Sequence, residues 1–154
     1  MESIKEQAQS LNDDRMAAER NKVLDWLSAL RHEQKQHNVR MPRVYGTGEW
    51  LLQNIRHKRW RDEQKLGDNV SCCDGIPGSR KSMLTSLVID QVTDTIIHQN
   101  KAIVHFYFDH REHDEQSAGD MFARLLKQLL LHKSELPASV IQLYQRLASQ
   151  LRDS

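Results

Sequence analysis

Residues Val70 to Ser82 read VSCCDGIPGSRKS, a run in which glycine, lysine and a hydroxyl fall at fixed intervals. Gly75, Lys81 and Ser82 stand where the phosphate-binding pattern G-x-x-x-x-G-K-[S/T] requires them. The position just before the lysine, a glycine in that pattern, is Arg80. The chemistry of the pattern is anion capture. Successive backbone N–H groups turn inward as a nest for phosphate oxygens, and the positive end of the following helix adds to the field. Lys81 would reach the β- and γ-phosphates, and the Ser82 hydroxyl would coordinate magnesium. The candidate nucleotide-binding residues are therefore Gly75, Ile76, Pro77, Gly78, Ser79, Arg80, Lys81 and Ser82, with Ser82 also the metal ligand. The implied ligand is ATP or GTP with magnesium. Glycine lets the backbone approach phosphate closely and adopt positive φ. Arg80 supplies charge but puts a bulky side chain at the most crowded turn, so the expected binding is weak or absent.

A loop of this kind needs a strand before it and a helix after it. Asn69 to Cys73 read as a short buried strand, and Lys81 to Gln99 as a helix. Met83, Leu84, Leu87, Val88, Val92 and Ile96 recur at helical spacing, so one face of that helix is expected to pack on a sheet. Ala102 to Phe108, AIVHFYF, suits a strand buried on both faces, as in a parallel sheet. Cys72 and Cys73 fall in the first strand and face opposite ways, which makes them small buried hydrophobes rather than a disulfide.

Around this centre the pattern is helical. Residues 2 to 37 read as helix, with an apolar stripe at Val23, Trp26, Leu27 and Leu30. Pro42 and Gly46 punctuate a break from Asn38 to Gly46, after which Thr47 is expected to cap a helix carrying Trp50, Leu51, Leu52 and Ile55. Ser117 to Asp120 forms a capping box before a helix with Met121, Phe122, Leu125, Leu126, Leu129 and Leu130. Pro137 is placed as the first residue of a last helix bearing Val140, Ile141, Tyr144, Leu147 and Leu151.

Composition narrows the classes. The 154 residues, 38% hydrophobic and 28% charged, suit one helix-rich soluble domain. A formal net charge of +1 gives no general case for nucleic acid. The basic segment IRHKRWR, Ile55 to Arg61, reads as a helix end with Trp60 as a packing anchor, its field blunted by Asp62 and Glu63. No apolar run approaches the roughly 20 residues needed to span a bilayer. The first ten residues, MESIKEQAQS, lack the apolar stretch of a secretory signal, so a cytoplasmic protein is expected. Asp109 to Glu115, DHREHDE, reads as a hydrated loop, because its spacing matches no closed zinc set. The remaining histidines form no catalytic triad with a nucleophile and an acid.

The segments NKVLDWLSAL, RVYGTGEWLL, CDGIPGSRKS, AIVHFYFDHRE, SAGDMFARLLKQLL and LPASVIQLYQRL follow one another in order. This ordered set resembles the N-terminal part of the fungal NACHT-type proteins, in the nephrocystin 3-like N-terminal group. The resemblance implies a signal-transducing P-loop NTPase whose nucleotide-binding core controls oligomerisation, with nucleotide contacts at Gly75, Gly78, Lys81 and Ser82. Arg80 replaces the group's glycine and Asp74 its proline. The acidic (Walker B) strand that positions magnesium and water is not met before Ser154. The implied architecture is thus an incomplete α/β P-loop NTPase core, NACHT-like and helix-rich, with a helical N-terminal extension. Its division is residues 1–46 as helical segment and linker and 47–154 as the partial P-loop domain. Autonomous hydrolysis is not expected.

Two functions follow from this reading. One is a degenerate nucleotide-binding module of a NACHT-type signal-transduction switch. The other is a helical protein-interaction fragment that docks on a full-length relative or on itself, through the helices carrying Trp26, Trp50 and the leucine faces. The expected partners are a nucleotide and a protein, with neither nucleic acid nor membrane.

Overall fold

A computed structural model describes residues 2–28, 32–62, 70–96, 99, 101–109 and 116–150. Among them the chain forms α1 (Glu2–Leu27), α2 (His32–Arg40), α3 (Glu49–Gln53), α4 (Ile55–Asp62), α5 (Lys81–Ile96), α6 (Ala118–Leu131) and α7 (Ala138–Gln150). These fall into two compact units, Met1–Leu30 with Phe108–Ser154, and Arg31–Tyr107. Asn69, Leu30, Leu151 and residues 110–115 of the acidic, histidine-bearing loop lie outside the described residues.

In the first unit, α6 and α7 pack on α1. The capping box starts α6 as its sequence requires: the Asp120 N–H donates to Ser117 Oγ at 3.1 Å, and the Ser117 N–H donates to Asp120 Oδ2 at 3.0 Å. The Ser117 hydroxyl also donates to Asp120 Oδ2, and this bond, with the Ser117 N–H adding to it, holds the Asp120 carboxyl below its ordinary range. Pro137 stands one position earlier than expected. It precedes α7, and its carbonyl accepts from the N–H groups of Val140 and Ile141. The buried apolar side chains among the described residues are Val23, Leu24 and Leu130. Trp26 meets Tyr144 edge-to-face with ring centroids 5.4 Å apart, a geometry that aromatic quadrupoles favour. At the end of α6, the Arg20 guanidinium donates to the carbonyls of Leu130 and Lys133, both at 3.1 Å. It thereby satisfies acceptors that a helix C-terminus leaves unpaired.

In the second unit, α5 packs on α2, and α3 on α4. Its buried side chains among the described residues are polar, His57 and Ser86. His57 Nε2 lies 2.9 Å from Gln91 Oε1, and its ring is tilted against Trp60 at 5.5 Å. Trp60 is half-buried there, while Arg61 forks onto Asp62 at 2.6 and 2.8 Å. Thr47 does not cap α3. The cap is Gly48, whose φ of 91° and lack of a side chain leave the helix start without a side-chain acceptor. Gly48 is needed for another reason as well: a Cβ there would stand 2.8 Å from Leu84 Cδ2 and 3.1 Å from Leu87 Cδ2. The glycine lets the turn before α3 lie directly on α5.

The expected α/β core is not formed. No residue among those described belongs to a strand. Residues 70–76 and 101–109 carry no regular structure, although the second run is as apolar as a buried strand. A strand is held by a neighbour that pairs its N–H and C=O groups, and no such neighbour stands among the described residues. Residues 70–80 are instead exposed throughout. Cys72 and Cys73 are accordingly exposed free thiols and not buried in a strand. The half-buried face of α5, expected to meet a sheet, meets helix α2. No described helix is long and apolar enough to cross a membrane.

Gly46 has a φ of 78° with open space around its Cβ position, whereas Gly48 combines φ of 91° with the leucine contacts. Gly46→Ala should therefore cost about 1 kcal/mol from backbone strain alone, and Gly48→Ala about 2–4 kcal/mol once overpacking is added. Urea unfolding of the two variants checks the difference; equal losses would contradict the close approach to α5.

Candidate functional site

The candidate loop is built around a tight turn. The Ser79 N–H donates to the Ile76 carbonyl at 3.2 Å. Pro77 and Gly78 occupy the corners, with Gly78 at φ 83°. Proline followed by a left-handed glycine is the pattern of a type II turn. Gly75 is required by proximity: a Cβ on it would lie 2.8 Å from Ser79 Oγ and 3.9 Å from Lys81 Cδ. Lys81, the first residue of α5, folds its ammonium back across the turn. Its Nζ donates to the Gly75 carbonyl at 2.5 Å and the Ile76 carbonyl at 3.0 Å, with Ser79 Oγ at 3.5 Å. Gly75, Ile76, Ser79 and Lys81 are thus brought together in one small ring.

Arg80 supplies the helix cap. Its carbonyl accepts from the Leu84 N–H at 3.1 Å, the first bond of α5. Its φ is 60°, the one positive value at a non-glycine among the described residues. This is why the motif wants glycine here: an L-side chain in the left-handed region costs roughly 1–2 kcal/mol. The arginine nevertheless adopts the conformation. Its side chain points to solvent and pairs with no described residue. The N–H groups of Gly78, Arg80, Lys81, Ser82 and Met83 likewise meet no acceptor among the described residues. The Ser82 hydroxyl, exposed on the first turn of α5, meets no described residue either. Left-handed residues at 78 and 80 with Ser79 between them, followed by the unpaired amides of a helix start, leave exposed N–H donors of the kind that can meet an anion.

Further along, α5 is fixed by a polar cluster that the letters of the motif do not announce. Asp90 Oδ2 accepts from Arg43 at 2.7 Å and lies 3.3 Å from Arg40 Nε, and Asp90 Oδ1 accepts from Gln36 Nε2 at 3.3 Å. Arg43 also donates to the buried Ser86 hydroxyl at 3.2 Å, and Gln36 to the Ser86 carbonyl at 3.3 Å. The Tyr107 hydroxyl donates to Gln36 Oε1 at 2.6 Å. Burial pushes this phenol up to about 12, with Asp90 adding to the rise and Arg43 opposing it. The cluster joins residues 43 to 71 positions apart in pairs, so no local signal could have revealed it. The tyrosine inside AIVHFYF is its one outward sign in the sequence.

Helices with a glycine-turned, lysine-closed loop at the start of one of them define the class of this molecule structurally. Over residues 46–154 the sequence matches the family described as nephrocystin 3, N-terminal, and the chain belongs to that family. Neither the comparison with curated proteins nor that with solved structures gives a match.

Arg80→Gly removes the left-handed strain and leaves the turn, the lysine contacts and the exposed surroundings as they are. The variant should gain about 1 kcal/mol, read as a higher urea midpoint with an unchanged slope. A loss of stability would mean that Arg80 makes a contact the loop needs.

Proposed function

We propose that residues 75–82 act as a degenerate phosphate-binding loop, engaging the phosphates of magnesium-ATP or magnesium-GTP weakly, in a module of a NACHT-type signal-transduction switch. The observation that carries this reading is the Lys81 ammonium held over the turn by Gly75 and Ile76. Membership of the nephrocystin 3 N-terminal family supports it from the side of the sequence. The fit to a nucleotide rests on the N–H groups of Gly78 and of Arg80 to Met83, which no described residue accepts from. The amides of Gly78, Arg80 and Lys81 would face phosphate oxygens, Lys81 would supply charge, and Ser82 would hold magnesium. Bound magnesium supplies neutralisation of phosphate charge; the chain's residues bind and orient. Arg80 adds a free cation at the rim while straining the backbone, and a strained nest without a paired strand behind it binds less tightly than an unstrained one. The reading is of binding, with no hydrolytic step assigned.

A second reading, a helical docking module, is supported by the exposure of large apolar side chains. Tyr45 is 99% exposed, Val44 66%, Trp50 63% and Phe122 65%. Trp26 is less available for docking, since it packs on Tyr144. Val44, Tyr45 and Trp50 lie within seven residues of one another in a single unit, and clustered exposed apolar side chains can mark an interaction site.

Thermal unfolding with and without magnesium-ATP and magnesium-GTP tests the first reading. A ligand at 100 times its dissociation constant adds about 2.7 kcal/mol. A stabilising shift that disappears in Lys81→Ala is the expected result. A cooperative transition with no shift, together with concentration-dependent self-association in sedimentation, would favour the docking module instead.

A further inference from the structure

We propose that Cys72 and Cys73 form a modification site: a vicinal thiol pair that a hydroperoxide closes into a disulfide and that small thiols reopen. They are the two cysteines of the chain, and both are free and exposed. In a paired strand, adjacent side chains would be held on opposite faces. Here residues 70–76 form neither helix nor strand, and Ser71 to Asp74 hydrogen-bond to no described residue. Nothing in the described structure keeps the two sulfurs apart, and each has the other as its nearest thiol in sequence.

The chemistry balances without any further reactant. One thiolate attacks an oxygen of the hydroperoxide; an S–O bond forms, the O–O bond breaks, and an alcohol or water leaves. The resulting sulfenic acid is then attacked by the neighbouring thiol. The S–S bond forms, the S–O bond breaks, and the departing hydroxide takes the second thiol's proton as water. Two thiols have lost two electrons and two protons, and the peroxide has been reduced. Consecutive Cα atoms are about 3.8 Å apart, short of the roughly 4.4–6.8 Å that disulfides prefer. The bond is therefore strained and easily reduced, which is the behaviour of a labile modification and not of a structural cross-link.

The site also bears on the loop. Cys73 is two residues before Gly75, whose carbonyl holds Lys81 Nζ at 2.5 Å. Closing the small ring turns the 72–73 peptide and re-aims Asp74 and Gly75, so the lysine contact loosens. This consequence rests on the loop's geometry and stands whether or not a nucleotide binds there.

The experiment treats the full chain with equimolar hydrogen peroxide, without nucleotide. It follows the intact mass, the number of maleimide-reactive thiols, and the rate at which trypsin cuts after Arg80 and Lys81. The expected result is a monomer lighter by two hydrogens, simultaneous loss of both reactive thiols, full recovery with dithiothreitol, and severalfold faster cleavage in the oxidised form. Cys72→Ser and Cys73→Ser should each abolish the two-hydrogen loss. Oxidation that yields chiefly disulfide-linked dimers, or oxygen adducts with no loss of hydrogen, would overturn the vicinal pair. Intramolecular closure with unchanged cleavage would overturn its coupling to the loop.

Discussion

Asp90 is the fixed point of the unit that carries the loop. That unit has no buried apolar side chain among its described residues, and polar contacts do what a hydrophobic centre usually does. One carboxylate on α5 collects Arg43, Arg40 and Gln36, and so ties α5 to α2 and to the segment leading into α3. The Arg43 and Asp90 side chains are 17% and 22% exposed. The pair is thus worth more than the roughly 0–1 kcal/mol of a surface pair. Removing one partner would cost less than the roughly 3–5 kcal/mol seen when a wholly buried pair is broken. With Arg43 anchored, Gly48 is brought against Leu84 and Leu87. The helix that follows the 75–80 loop is then held along its length.

Helices α5, α6 and α7 were legible because their information is local. Ser117 and Asp120 satisfy each other's backbone groups within four residues, and the apolar spacing of α5, α6 and α7 is visible at a glance along the chain. By contrast, the helix read over residues 2–37 ends at Leu27, and α2 runs on to Arg40 across the start of the break read at Asn38. The helix read through Ile55 stops at Gln53, with Ile55 opening α4. Strands carry half of their information elsewhere. Val70 to Cys73 and Ala102 to Phe108 have the composition of strands, but composition does not provide a ladder, and the described chain leaves both without one. The cysteines followed from that error: judged buried as strand residues, they stand in solvent. Thr47 was misjudged for a different reason. It has the chemistry of a cap, yet packing on α5 demands a residue with no Cβ at the cap itself, and Gly48 takes the place. The Asp90 cluster was illegible altogether, since its members are scattered from Gln36 to Tyr107.

The loop closes its tight turn although position 80 is not glycine. Glycine is demanded at position 75 by proximity to Ser79 and at 78 by a positive φ. At position 80 it is demanded by φ alone, and a side chain there meets strain without a clash. Arginine therefore sits in the left-handed region at a modest cost and leaves Lys81 free to close over the turn. Sequence alone suggested obstruction by bulk, whereas the exposed guanidinium indicates strain as the principal penalty. Unpaired amides beside Arg80 and Lys81 are the features on which the proposed phosphate contact rests.

The proposed phosphate contacts are the backbone N–H groups of Gly78 and of Arg80 to Ser82. Amide chemical shifts measured by NMR during titration with magnesium-ATP address them most directly. The account predicts progressive shifts confined to Gly75–Met83, with the Lys81 ammonium moving alongside them and the amides of α6 and α7 unchanged. No shift at these amides, or shifts of equal size spread over other helices, would contradict it.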